Sequence, residues 1–304
     1  MKQTFYSHGK LLLTGEYLVL DGALALALPT KYGQDLVVEN IEGQIINWKS
    51  FDSDGTIWYE DLISFDNIRE KTHCEGKAIR NTLVTILHEA FLLDSDFLTN
   101  STGYNITTSL SFPRIWGLGT SSTLINNVAQ WLQIDAFILL NNSFGGSGYD
   151  IACAQNDSAI TYQLENGNVS INKINFKPNF LKSLYFVYLN KKQSSKESIE
   201  AYRNKKESVI QVQINSINVI TKAIIGATTI ERFTKEIEKH ENLIAAVLEM
   251  RTIGETTFSD FNGTIKSLGG WGGDFVLAVA SENPTVYFAS KGFTTVIPYH
   301  EMVL

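Results

Sequence analysis

Ile79, Leu83, Ile86, Leu87, Ala90 and Phe91 recur every three to four residues, the period of one helix face, so residues 77–93 predict an amphipathic helix. Residues 104–112 switch to apolar–polar alternation, the mark of a half-buried strand, which should stop at Pro113. After it come Gly117-Leu118-Gly119 and then Thr120-Ser121-Ser122, leading into Leu124, Ile125, Val128, Ala129 and Leu132. That stretch predicts strand, glycine loop and a helix with Ser/Thr at its start. Residues 10–28 predict strand, turn, strand around Gly15 and Gly22. Short β-type runs in 35–65 (Leu36-Val37-Val38, Ile45-Ile46-Asn47-Trp48), split at Gly43 and at Asp52-Ser53-Asp54-Gly55, predict a meander.

A short helix near 135–142 and a second glycine loop, Gly145–Asp150, come next. A hairpin at Glu165–Asn168 and a buried strand over 184–189 follow. Ser194 and Glu197 have capping-box spacing and open a helix to about 210, before helices over 209–225 and 230–250. A strand, the turn Gly269-Gly270-Trp271-Gly272-Gly273-Asp274 and another strand, Phe275–Val279, come near the end. Irregular alternation of strands and helices, with hairpins, points to an α+β fold. The hairpin and the Pro178 loop suggest domains over residues 1–175 and 176–304.

Composition narrows the class. A length of 304 residues suits about two domains. A hydrophobic share of 44% supports a real core and excludes disorder as the main state. The net charge of −7, with no basic run, argues against a nucleic-acid partner. Cys74 and Cys153 form neither a disulfide framework nor a metal cluster. Glu16 and Asp21 break the apolar residues after Leu11–Leu13 before a signal core or membrane span could form. The expectation is a soluble cytoplasmic protein with no membrane partner, monomer or homodimer.

Glycines at 117 and 119 let backbone N–H groups approach an anion, and the following helix adds the positive end of its dipole. The hydroxyls of Thr120, Ser121 and Ser122 can meet phosphate oxygens or a divalent ion; a plain capped turn is the alternative. Other phosphate signatures fail. Gly9-Lys10 and Gly76-Lys77 lack the rest of a P-loop, and Ser122 stands where a dinucleotide fingerprint needs its third glycine. The histidines at 8, 73, 88, 240 and 300 have no ligand spacing and read as surface or packed residues. Asp150 reads either as a helix cap or as a functional carboxylate, and Lys10 as a strand start or a cation aimed into a cleft.

Four segments in order resemble the GHMP kinases, the small-molecule kinases named for galactose, homoserine, mevalonate and phosphomevalonate. His8-Gly9-Lys10-Leu11-Leu12-Leu13-Thr14-Gly15-Glu16-Tyr17 resembles their first motif, and Pro113 with Gly117–Ser122 their phosphate loop. Gly146-Ser147-Gly148-Tyr149-Asp150 resembles the catalytic-aspartate loop, and Lys266–Asp274 a degenerate third motif in which Trp271 and Asp274 depart.

The resemblance implies a two-domain α+β fold, a ribosomal-protein S5 domain 2-like N-terminal domain and a ferredoxin-like C-terminal one. It implies ATP and Mg²⁺ as cofactors and a small-molecule acceptor. By position it implies Asp150 and Lys10 as the catalytic pair, and Gly117, Leu118, Gly119, Thr120, Ser121 and Ser122 as the ATP loop, with Ser121 on the metal. Glu16, Tyr17 and Gly148 fall at acceptor positions; Gly269, Gly270, Gly272 and Gly273 form the third loop. An acceptor phosphate would need extra cations, for which Arg114, Lys191, Lys192 and Lys196 are candidates, a solvated loop and helix start being the alternative for the three lysines. Gly-Glu-Tyr resembles the phosphomevalonate kinases, so mevalonate or phosphomevalonate is the expected acceptor. The Mg²⁺-binding glutamate of mevalonate kinases falls on Leu139, and Asp135 reads as a helix cap. A decarboxylase of the same fold and a nucleotide-binding relative without turnover remain as alternatives.

Overall fold

The computed structural model describes residues 2–165, 167–193, 195–205 and 211–304. Strand β1 (Lys2–Thr14) is followed by a 3-10 turn, Leu18–Asp21, and the long β2 (Ala25–Asn40). Then come β3 (Ile45–Phe51), β4 (Ile57–Ser64), α1 (Phe65–Arg69), α2 (Ala78–Leu93), α3 (Asp96–Thr99) and β5 (Tyr104–Leu110). Helices α4 (Thr120–Leu132), α5 (Ala136–Ser143) and α6 (Tyr149–Ala154) complete this part, and the hairpin β6 (Ile160–Glu165) and β7 (Asn168–Lys173) follows. The remainder is β8 (Leu184–Tyr188), α7 (Ser195–Lys205), α8 (Gln211–Ile225), α9 (Ile230–Leu248), α10 (Ile253–Thr256), β9 (Thr264–Leu268), β10 (Phe275–Val279), α11 (Thr285–Ser290), β11 (Val296–Pro298) and α12 (Tyr299–Met302). Ser194, the first residue of the expected capping box, lies outside the described residues.

The chain forms two units. The first holds residues up to Gly9, Tyr32–Arg114 and Leu118–Gln155; the second holds Lys10–Lys31, Ile115–Gly117 and Asn156–Leu304.

In the first unit the strand order is β4-β3-β5-β2, and β1 also pairs with β2. Alternation works as the sequence implies. Tyr104, Ile106, Thr108 and Leu110 of β5 are buried while the residues between them are half-buried. The expected meander over 35–65 is corrected in one respect. β3 and β4 form an antiparallel hairpin, but β5 lies between β2 and β3 and runs parallel to β3. A parallel pair needs a crossover, which α1 and α2 supply. Helix α2 buries Leu83, Val84, Ile86, Leu87 and Ala90 in the core beside Trp48, Phe65 and Ile106. Each large aliphatic side chain so buried contributes about 1.5–3 kcal/mol.

In the second unit Ala25–Ala27 of β2 pair with β6, and β6 pairs with β7. A separate antiparallel sheet has the order β11-β8-β10-β9. Every residue of β8, β9 and β10 is buried, so these strands carry unbroken apolar runs except for Lys266 and its hydroxyl neighbours. Helices α8 and α9 pack on one another, and α9 packs on β9. Among the described residues no helix is long and apolar enough to cross a membrane.

Candidate active site

In the first unit the glycine loop ends on α4. Gly119 is its N-cap at φ 97°, a left-handed conformation that disfavours any β-carbon. No side chain caps this helix. The Thr123 amide donates to the Gly119 carbonyl at 2.9 Å, and Ser122 Oγ donates to the same oxygen at 2.9 Å. Ser121 is exposed, and Thr120 Oγ1 is buried without a partner. The first turn of α4 therefore presents backbone amides and hydroxyls that no cap consumes.

A buried polar network fixes α4. Ser7 Oγ donates to Asn127 Oδ1 at 2.7 Å and accepts from Asn126 Nδ2 at 2.8 Å. Asn127 Nδ2 donates to the Gln34 carbonyl at 2.9 Å. Helix α4 packs against α6, whose first turn carries Asp150, and Gln155 Nε2 donates to Asn126 Oδ1 at 3.0 Å. The cap of α6 is Gly148, at φ 89°, so Asp150 is not the helix cap. Asp135 is one: its carboxylate accepts from Phe137 N at 2.7 Å and Ile138 N at 3.1 Å. Leu139 is wholly buried in the core and offers no metal ligand. The Arg114 guanidinium lies 4.8 Å from the Trp58 ring centre, and its amide donates to Asp52.

In the second unit Lys10 lies buried in β1, and its positive charge acts on Asp274. Glu16, just past β1, is 3% exposed. One of its oxygens lies 2.5 Å from Lys266 Nζ, and the other lies 3.3 Å from His240 Nε2. His240 Nε2 also accepts the Gly15 amide at 2.9 Å. Glu241 Oε1 accepts from Ser267 N and Oγ, and its other oxygen stands 3.9 Å from Lys266. Burial raises the Glu16 carboxyl against the pull of Lys266, and pushes Glu241 up to about 7. Burial, and then the Lys266 charge, hold His240 well below the usual imidazole range.

Tyr17 is buried beside Tyr202, with ring centres 5.5 Å apart. Its hydroxyl accepts the Trp271 amide at 2.8 Å. The Trp271 indole is buried in the same apolar cluster, and its Nε1 donates to the Arg251 carbonyl at 3.3 Å. The departure at 271 thus fills a core position next to Tyr17. Gly269 and Gly272 take positive φ, while Gly270 and Gly273 lie against Gln193.

No family model and no curated protein sequence matches the chain. Solved structures do. Streptococcus pneumoniae phosphomevalonate kinase, in complex with phosphomevalonate and AMPPNP, is 16% identical over 97% of this chain and 99% of its own, with a TM-score of 0.70. Methanococcus jannaschii mevalonate kinase is 16% identical over 97% and 96%, with a TM-score of 0.69. Lactococcus lactis galactokinase, complexed with galactose, is 13% identical over 95% and 88%, with a TM-score of 0.71.

The chain has the GHMP-kinase fold. Its α+β architecture agrees with the class expected from the motifs.

Within this GHMP-kinase fold, the first unit brings Gly119–Ser122 and Asp150 onto two packed helices. The second collects Lys10, Glu16, Tyr17, Gly117 and the third glycine loop. Sequence reasoning missed the partners of Glu16. His240 sits on α9 and carries no local signal of pairing with a turn more than 220 residues earlier, and Glu241 beside it carries none of pairing with Ser267 and Lys266. Only the period of α9, which puts Phe233, Ile237, His240, Glu241 and Ile244 on one buried stripe, marks His240 and Glu241 as core positions.

Proposed function

We propose that the protein is an ATP-dependent small-molecule kinase and that its acceptor is mevalonate or phosphomevalonate. The observation that carries this reading is the uncapped start of α4 behind Gly119, with the buried, unpartnered Thr120 hydroxyl beside it. Free amides at a helix N-terminus are an anion site, suited to the nucleotide's phosphates.

Mg²⁺ fits as an ion carried in by those phosphates. Ser121 offers an exposed hydroxyl, and among the described residues there is no group of three or more Asp, Glu, His or Cys able to cage a metal. Mg²⁺ needs few protein ligands and keeps several waters. Bound there, it would neutralise phosphate charge.

In this reading Asp150 accepts or orients the acceptor hydroxyl proton, an effect of about 10²–10⁴-fold. Lys10, buried where its field is little screened, stabilises the oxyanion as the proton leaves. Glu16 and Tyr17 are buried, so their part in acceptor recognition is to hold the turn that faces it.

The test is ADP release with ATP and Mg²⁺, assayed separately with mevalonate, phosphomevalonate, homoserine and galactose. Acceptor-dependent ADP without CO₂ is expected with one of the first two. Release with galactose or homoserine alone would move the substrate elsewhere, and none above the acceptor-free rate would overturn the reading.

A further inference from the structure

Asp274 closes the third glycine loop, and its surroundings all lie in the second unit. It takes φ 52°, a left-handed backbone that glycine fills more readily, although glycines precede it on both sides of Trp271. The backbone there is fixed at both ends: the Asp274 amide donates to the Lys191 carbonyl at 2.7 Å, and its carbonyl accepts the Leu189 amide at 2.8 Å. A loop requirement alone would be met by glycine, so the side chain supplies something the backbone does not.

That side chain is buried, 6% exposed. Oδ1 accepts the Gln193 amide at 3.1 Å. The carboxylate fills the space in front of Gly117. A β-carbon on Gly117 would stand 2.5 Å from its carboxyl carbon and 2.5–2.6 Å from both oxygens, closer than real atoms approach. Two features keep a side chain off Gly117: its φ of 69°, which strains any β-carbon, and the Asp274 carboxylate in front of it. The residues before Gly117 are fastened on the same sheet. Tyr188 Oη donates to the Ile115 carbonyl at 3.1 Å, and Trp116 packs edge-on to Phe275 with ring centres 5.5 Å apart.

Electrostatics supplies the rest. A buried carboxylate is costly unless a cation compensates it. Burial raises the Asp274 carboxyl, and the charges of Lys10 and, more weakly, Lys192 pull against that rise. A lone negative charge against the first glycine of a phosphate loop would repel the nucleotide. With the buried Lys10 charge acting on it, the carboxylate has a counter-charge in its own unit.

We propose that Asp274 is a positioning residue for phosphoryl transfer, its carboxylate setting the place of both the Lys10 ammonium and Gly117. The proposal rests on the kinase reading given above.

Asp274→Asn keeps the shape and the Gln193 hydrogen bond and removes the charge. The expected result is a fall in kcat of about tenfold or more, with KM for ATP unchanged or lower because a negative charge has left the loop. Lys10→Met should lose the same step, and the double variant should be no more than about twofold worse than Lys10→Met alone. A kcat within twofold of wild type, a raised ATP KM with unchanged kcat, or a multiplicative double variant would overturn the proposal. If the wild type itself makes no ADP with any acceptor, the kinase reading fails and so does the positioning role that rests on it. The packing of Asp274 on Gly117 is then decided by melting curves. Gly117→Ala should lower the melting temperature through both backbone strain and the clash, and Asp274→Gly in the same chain should recover the part due to the clash. Additive losses would refute the contact itself.

Discussion

Glu241 gives the sharpest handle on stability. Its carboxylate meets Lys266 and Ser267 from β9 and feels the charge of Glu16 from the turn after β1. Burial pushes it from the ordinary 4.5 up to about 7. The folded chain therefore holds a proton that the unfolded chain has released between those two values. Its contribution is full below pH 4.5 and is lost as pH rises through 7. At about 1.4 kcal/mol per pKa unit, the loss is about 3 kcal/mol. Glu241→Gln cannot ionise, but it still offers an oxygen to the Ser267 amide and hydroxyl. Relative to wild type, this variant should gain about 3 kcal/mol between pH 5 and pH 8. For a unit of this size that is about 6–12 °C of relative melting temperature. Glu16, whose charge also raises Glu241, is present in both proteins, so the difference reads Glu241 together with its coupling to Glu16. Melting curves followed by circular dichroism at the two pH values are sufficient. A variant whose offset from wild type is the same at pH 5 and pH 8 would show that Glu241 keeps its charge throughout.

Three further outcomes follow from the site. Asp150→Asn should lower kcat by about 10²–10⁴-fold while leaving ATP affinity alone; near-wild-type turnover would remove Asp150 from the chemistry. Asp135→Ala should cost about 1 kcal/mol, read by urea unfolding, without moving the Mg²⁺ dependence of the rate, and Ser121→Ala should do the reverse. Tyr17→Phe should cost about 1–3 kcal/mol by leaving the buried Trp271 amide without its acceptor, and should raise the acceptor KM more than the ATP KM; equal effects on both would make Tyr17 a packing residue only.

Local pattern carried much of this structure. The period of residues 77–93 gave α2 within a residue, and the alternation of 104–112 gave β5. Alternation states which face is buried but not which strand lies alongside, so the insertion of β5 between β2 and β3 was not legible. The glycine loops were visible as loops because few residues other than glycine tolerate their backbone. The surroundings of Glu16 were hidden. A glutamate in a turn reads as solvated, and its burial depends on Lys266, 250 residues later. Trp271 and Asp274 could be read as departures from a motif, but their reasons lie in space: an apolar cluster around Tyr17 for one, the face of Gly117 for the other.

The placement of the tryptophans has an optical consequence. Of the five, Trp48, Trp58 and Trp131 belong to the first unit and Trp116 and Trp271 to the second. Both members of the second set touch glycine loops: Trp116 immediately precedes Gly117, and Trp271 lies inside the third loop with its indole buried. In a chain whose other three tryptophans are replaced by phenylalanine, the indole emission, excited where tyrosine does not absorb, would come only from those two rings. Quenching or a spectral shift on adding nucleotide would then read the loops directly, without an acceptor and without turnover, and the native chain already carries the dye.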